Sequence, residues 1–228
     1  MKKRMIALLL LLVIALTACS SSSELSKDGK EPKDMHRSED PAATEALDDA
    51  GVDIGAADGN TYRNVSLGFI CEFPEDWYIY NDDDIASLNN LVSDALDRAA
   101  IADAIGNGQV VIFFCASHPE TYSSVNINVS KNPMPDADES GIIEATLPQL
   151  KSKMEQTGTM ENVTCSAGEA EFCGQTRPAI KISAKSGGMD LYEKILYLID
   201  GEYLYTLTVS SGQESMTVDI LDYFTSLN

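Results

Sequence analysis

The sequence predicts an α+β fold in which a largely antiparallel sheet is flanked by helices. Three observations carry this. Strand-like runs dominate the second half of the chain, and short turns such as Asp200-Gly201 join them, as antiparallel neighbours require. Three segments repeat their apolar residues at helical spacing. The composition is globular, with 44% hydrophobic and 23% charged residues among 228. That excludes a wholly disordered chain, a coiled coil or a collagen-like fibre. Each amphipathic helix must bury one stripe against the sheet, which gives a layered sandwich.

In chain order, residues 62–66 and 69–73 form a hairpin turning at Leu67-Gly68. Asp83 or Asp84 caps a helix. Along it Ile85, Leu88, Val92, Ala95, Leu96, Ala99 and Ala102 recur to about Ile105, and Gly106-Asn107-Gly108 stops it. Residues 110–115 are an apolar strand, and 122–130 a second one with period-two alternation. Pro133 and Pro135 mark a loop. Residues 141–156 are helical, with Pro148 kinking or dividing the helix. Residues 163–172, 179–184, 189–200 and 203–210 are strands. A last helix over 213–227 puts Met216, Ile220, Phe224 and Leu227 on one face.

The N-terminus has its own logic. Lys2, Lys3 and Arg4 precede an unbroken apolar run over residues 5–16. A bilayer span takes ~20 residues, so this run is short. Leu16-Thr17-Ala18-Cys19 follows. This is the layout of a secretory signal peptide, and it resembles the lipobox of bacterial lipoproteins. The resemblance implies that residues 1–18 are removed and that Cys19 is the lipid-attachment site, acylated as by palmitate. It places the protein outside the cytoplasm, anchored to the cell membrane. Each buried CH2 contributes ~0.8 kcal/mol, and two or more chains hold stably.

Residues 19–60 read as a disordered acidic tether, with room for a short helix at 41–50. Four serines open it, and no aromatic residue follows, so it cannot offset its chain entropy. Residues 61–228 read as a single domain with 25 acidic and 9 basic residues, net −16. The full chain carries −20, and without residues 1–18 it carries −23. Such a body lacks the clustered cations that nucleic acid requires and is repelled by anionic headgroups. A basic protein or a divalent cation is the partner that charge alone would match.

Tyr62-Arg63-Asn64-Val65-Ser66-Leu67-Gly68-Phe69-Ile70-Cys71-Glu72-Phe73-Pro74-Glu75-Asp76-Trp77 resembles the opening of PsbP-like domains, including the DcrB and LpqN types of lipoprotein. The shared marks are a Gly-Phe turn, an aromatic-Pro pair and a Trp shortly after. The later order of elements is also similar. Asp76 stands where the family often has Gly. The resemblance implies an α/β/α sandwich and little about function: most members act by binding other proteins, and it carries over no catalytic residues.

Chemistry-bearing residues are few. His118 is the domain's one histidine, and His36 lies in the tether. Cys115-Ala116-Ser117-His118 brings a thiol near an imidazole, the route to an activated thiolate. An envelope hydrolase using His118 or surface carboxylates is therefore the alternative function. The simpler reading keeps Cys115 in an apolar strand and His118 in a loop before Pro119. Zinc, phosphate-loop and nucleophile-elbow motifs do not occur.

Asp136, Asp138 and Ser140 match the first half of a calcium loop, but the twelfth position is Leu147 where a Glu is required. A loop that caps the next helix accounts for them, so no cofactor is expected and calcium is the one ion left open. Asn81-Asp82-Asp83-Asp84 likewise favours a helix start. Beyond Cys19, Cys165 with Cys173 across a bend and Cys71 with Cys115 across neighbouring strands are the disulfide candidates. The competing reading is four buried thiols. Trp77, Tyr78 and Tyr80 read as core or hairpin edge before ligand groove. Asn64, Asn128 and Asn162 head Asn-x-Ser/Thr triplets that mean nothing for glycosylation in a bacterial lipoprotein. The function expected is a non-catalytic, membrane-tethered binding or accessory module for an envelope protein or small ligand.

Overall fold

The computed structural model describes residues 52–89 and 98–227. Cys19, the signal segment, the short helix at 41–50 and the middle of the 83–105 helix fall outside the described residues.

Within them the fold is mixed α+β and mostly antiparallel. A small sheet contains β1 (Ala56–Asp58), β2 (Thr61–Asn64), β3 (Phe69–Glu72) and β11 (Phe224–Ser226), in that spatial order. A larger sheet has seven strands: β4 (Tyr78–Ile79), β5 (Val111–His118), β6 (Ser123–Lys131), β7 (Met160–Phe172), β8 (Gln175–Ser186), β9 (Met189–Asp200) and β10 (Tyr203–Ser211). Their spatial order is β4-β5-β6-β10-β9-β8-β7. Four helices complete the fold: α1 (Asp82–Leu88), α2 (Arg98–Gly106), α3 (Glu139–Gln156) and α4 (Met216–Leu221).

Alternation along the strands divides the core. Val125, Ile127 and Val129 of β6 and Tyr205, Leu207 and Val209 of β10 face the small sheet. There Tyr62 lies 4.2 Å from Phe114, and Phe69 lies 5.6 Å from Phe172, ring centroid to centroid. Ile101 and Ile105 of α2 and Ile220 and Leu221 of α4 join this core. On the opposite face of the large sheet, Ile142, Ile143, Leu150 and Met154 of α3 pack on Ile180, Ile182, Leu191 and Ile195. Near the β5 edge, Ile85 of α1 packs on Ile112 and Cys115. One face of the large sheet is thus covered by a second sheet, where a helical layer was expected.

Several boundaries differ from expectation. The described residues begin at Val52, and 52–60, ahead of Thr61, are already tied into the fold. The Asp53 carboxylate is buried and accepts the N–H groups of Gly55, Val65 and Ser66 at 2.8, 3.0 and 2.8 Å. Asn64 Nδ2 donates to the Asp53 carbonyl and Tyr62 Oη donates to that of Ile54. Residues 52–60 therefore belong to the fold and not to the tether. Asn81, rather than Asp83 or Asp84, caps α1. Its side chain accepts from the Asp84 N–H, while the Asp84 carboxylate accepts from the Asn81 N–H. α3 is one helix of 18 residues with Pro148 inside it.

The expected C-terminal helix stops after Leu221, and Phe224–Ser226 joins the small sheet beside β3. As a strand, Phe224 reaches Phe69 and Phe172 at 5.4 and 5.3 Å, contacts that favour aromatic pairs. All four cysteines from Cys71 to Cys173 are free thiols. Cys165 lies in β7 and Cys173 in the turn beyond its end, at φ 53. They are eight positions apart along extended chain, roughly 26 Å, too far for this candidate pair to bridge. Cys71 and Cys115 lie in different sheets. Among the described residues no helix is long and apolar enough to cross a membrane.

Candidate ligand cavity beneath α3

β6 and β10 lie side by side at the middle of the large sheet, and both alternate apolar with polar residues. β6 reads Ser-Ser-Val-Asn-Ile-Asn-Val-Ser-Lys and β10 reads Tyr-Leu-Tyr-Thr-Leu-Thr-Val-Ser-Ser. The register sets Thr206 opposite Asn128, Thr208 opposite Asn126 and Ser210 opposite Ser124. The polar side chains therefore fall on one face as a contiguous strip. On β9 the same face carries Glu193, opposite Ser210. Polar faces of antiparallel sheets ordinarily meet water. Here Asn126, Asn128, Thr208 and Glu193 are only 3%, 4%, 1% and 3% exposed.

A cavity of about 420 Å3 opens over this strip. Its floor is Asn128, Thr206, Thr208 and Glu193, and its apolar wall includes Ile142, Leu150, Ile195, Tyr197 and Leu204. α3 forms the roof through Ala145, Thr146, Gln149 and Lys153, which share one helix face. Arg177 on β8 clamps the start of that helix by an ion pair to Glu139, Nη1 to Oε1 at 2.6 Å. A largely apolar wall with a few convergent polar groups is the usual make-up of a small-molecule site.

The electrostatics of the floor are unusual for a core. Glu193 accepts from Ser210 Oγ at 2.8 Å. Burial pushes its carboxyl up to about 7, against which the Ser210 hydrogen bond pulls only partly. Among the described residues Thr208 Oγ1 and Asn126 Oδ1 are buried without a hydrogen-bond partner, though they face each other across the ladder. Buried polar atoms are seldom left unpaired, because each costs about 1–3 kcal/mol.

The residues singled out by sequence lie elsewhere. His118 is the last residue of β5 and not part of a loop. Its Nε2 lies 3.0 Å from Asp76 Oδ2, and its Nδ1 accepts from the N–H groups of Glu120 and Thr121 at 3.2 and 3.3 Å. Because Nδ1 accepts, the proton sits on Nε2 and points at Asp76. Trp77 closes the other side, edge-on to His118 at 5.8 Å. Cys115 lies three residues back on the strand, hence on the opposite face, packed with Ile85 and Ile112. Burial holds its thiol well above the ordinary range. The thiol and the imidazole are therefore not brought together.

Asp138 is the N-cap of α3, and its Oδ1 accepts from the Gly141 N–H at 2.8 Å. Asp136 and Ser140 flank it. Among the described residues no group of three or more His, Cys, Asp or Glu side chains is placed to hold a metal ion. Trp77 is buried, whereas Tyr78 is half exposed and donates to Asp84. Cys71 is buried in the inter-sheet core, and burial with the nearby Cys173 raises its thiol.

Sequence reasoning missed the floor. The available signal was the paired Asn-x-Asn and Thr-x-Thr spacing of two strands, which only the observed register places side by side.

Comparisons with known proteins add little. No family model matches the chain, and no curated protein matches it either. Among solved structures, a crystal structure from Bacteroides thetaiotaomicron VPI-5482 is similar at a TM-score of 0.35 and 10% identity. The match covers 74% of this chain and 48% of that one, so this chain spans about half its length.

Proposed function

We propose that this protein is a lipid-anchored, extracytoplasmic binding module that holds a small ligand in the cavity beneath α3. The carrying observation is that cavity of about 420 Å3, floored by a buried polar strip at the centre of the sheet. Stability alone does not account for such a floor, since apolar residues there would remove its unpaired atoms. The lipobox-like run ending in Cys19 supports the anchor, and the tether leading to Val52 supports a body held off the membrane. His118 takes part in a fixed hydrogen-bond set, which supports binding over hydrolysis.

The domain is further proposed to be a divergent PsbP-like domain. The β2–β3 hairpin turning at Gly68 supports this, as do Phe73-Pro74 and the buried Trp77.

The test has two arms. Clickable palmitate should label the wild-type protein in cells and fail to label Cys19→Ser, which should also leave the membrane fraction. Protein taken from its own membrane should carry a small molecule detectable by native mass spectrometry. Ala145→Trp, which fills the roof, should lose it. An unlabelled wild type overturns the anchor, and identical spectra from the two proteins overturn the cavity as the ligand site.

A further inference from the structure

We propose that the cavity takes an amphipathic organic amine, with its ammonium head at the Thr208–Glu193 end of the floor and its apolar body along Ile195, Tyr197 and Leu150. This rests on the reading of the cavity as a ligand site and names the chemistry of its occupant.

The first argument is the kind of partner the floor lacks. Asn126 Oδ1, behind the floor and not itself lining the cavity, only accepts hydrogen bonds, and it has none among the described residues. Its cross-strand neighbour Thr208 Oγ1 has none either, is 1% exposed, and lines the cavity. Glu193 stands on the adjoining strand beside the next residue pair, with one oxygen taken by Ser210. At this end of the floor the Glu193 carboxylate accepts and the Thr208 hydroxyl accepts as well as donates, so a group rich in donors matches both. An ammonium group supplies three N–H donors from one atom and no acceptor.

The second argument is charge. Residues 61–228 carry −16, and Asp53 and Asp58 add to it, a field that concentrates organic cations and repels carboxylates. Two cations line the cavity as well. Lys131 is paired with Glu202 at 3.5 Å. Lys153, on α3, is half-buried and not free. The third argument is the wall. Ile195, Tyr197 and Leu150 offer a continuous apolar surface beside the polar floor, which suits a ligand with one charged end.

The head group has a proton consequence. Near pH 6 the Glu193 carboxyl is largely protonated, since burial pushes it up to about 7. An incoming ammonium pairs with the carboxylate, so the Glu193 proton leaves to the buffer and the amine keeps its own. The groups that face Glu193 are few. Ser210 Oγ on β10 donates to it, and Lys153 on α3 lines the same cavity. Cys165 on β7 feels both Glu193 and the α3 side chains Lys151 and Glu155. Ile182 is its register partner on β8.

The experiment titrates the protein at pH 6 with n-hexylamine, 1-hexanol and hexanoate. Calorimetry in two buffers of different ionisation heat counts protons, and the methyl resonances of Ile195 and Leu150 report occupancy. Hexylamine should bind at least about tenfold tighter than hexanol and release close to one proton. Glu193→Gln should reduce its affinity to that of hexanol and abolish the release. Thr208→Val should weaken the amine while leaving hexanol unchanged, and serves if the Gln variant fails to fold. Equal affinities, or an amine preference that survives in both variants, overturn the ammonium head while the cavity reading stands. If none of the three compounds moves the methyl resonances, the cavity reading falls with it.

Discussion

Thr208 condenses the tension between stability and function into one hydroxyl. Its Oγ1 is buried at the centre of the sheet and has no hydrogen-bond partner among the described residues. Val has nearly the same shape and no polar atom. Thr208→Val should therefore raise the unfolding free energy by about 1 kcal/mol, read by urea titration. A loss of stability would mean that the hydroxyl supports the fold. His118 presents the opposite case. Both ring nitrogens are engaged, one with Asp76 and one with the backbone after β5, so the imidazole is held fixed. Its chemical appeal in the sequence came from proximity to Cys115 along the chain, but an odd separation on a strand sends two side chains to opposite faces.

At the scale of elements, α3 carries the clearest prediction. Pro148 lies inside the helix and is exposed. It leaves the carbonyl four residues earlier without its helical donor. Pro148→Ala restores that bond with no packing lost. It should raise the melting temperature, by an amount corresponding to about 1–3 kcal/mol. An unchanged or lower value would show that the proline is needed where it stands.

The strands were the legible part, because period-two alternation and Gly-containing turns mark them locally. The hairpin turn at Gly68 has φ 70 and that at Gly201 φ 57, the conformation that makes glycine informative. The two ends of the described fold were less legible because tertiary contacts decide them. Met216, Ile220, Phe224 and Leu227 fit a helical stripe, yet Phe224 is better buried among Phe69, Phe73 and Phe172 as a strand residue. Residues 52–60 looked like tether until Asp53 met the N–H groups of the first hairpin. The cavity floor was hidden for a related reason. Its members are spread over β6, β9 and β10, and only the register of three ladders unites them.

Across the whole molecule, a net charge of −20 favours solubility and repels anionic surfaces. The same excess of carboxylates makes the one buried at the centre of the sheet stand out. Glu193 is 3% exposed, and burial pushes its carboxyl from 4.5 up to about 7. The folded state therefore holds a proton that the unfolded state gives up between those values. Where the native state binds more protons, stability falls as pH rises. The penalty is absent below about 4.5 and complete above about 7, and amounts to about 3 kcal/mol.

A polar floor kept at such a cost is the core of the case for a ligand site. Urea unfolding of the wild type and of Glu193→Gln at pH 4.5, 6 and 7.5 tests it most directly. Subtracting the variant from the wild type removes the background titration of the exposed carboxylates. The account predicts that the wild type loses about 3 kcal/mol relative to Glu193→Gln across this range. A difference that stays constant with pH would contradict it.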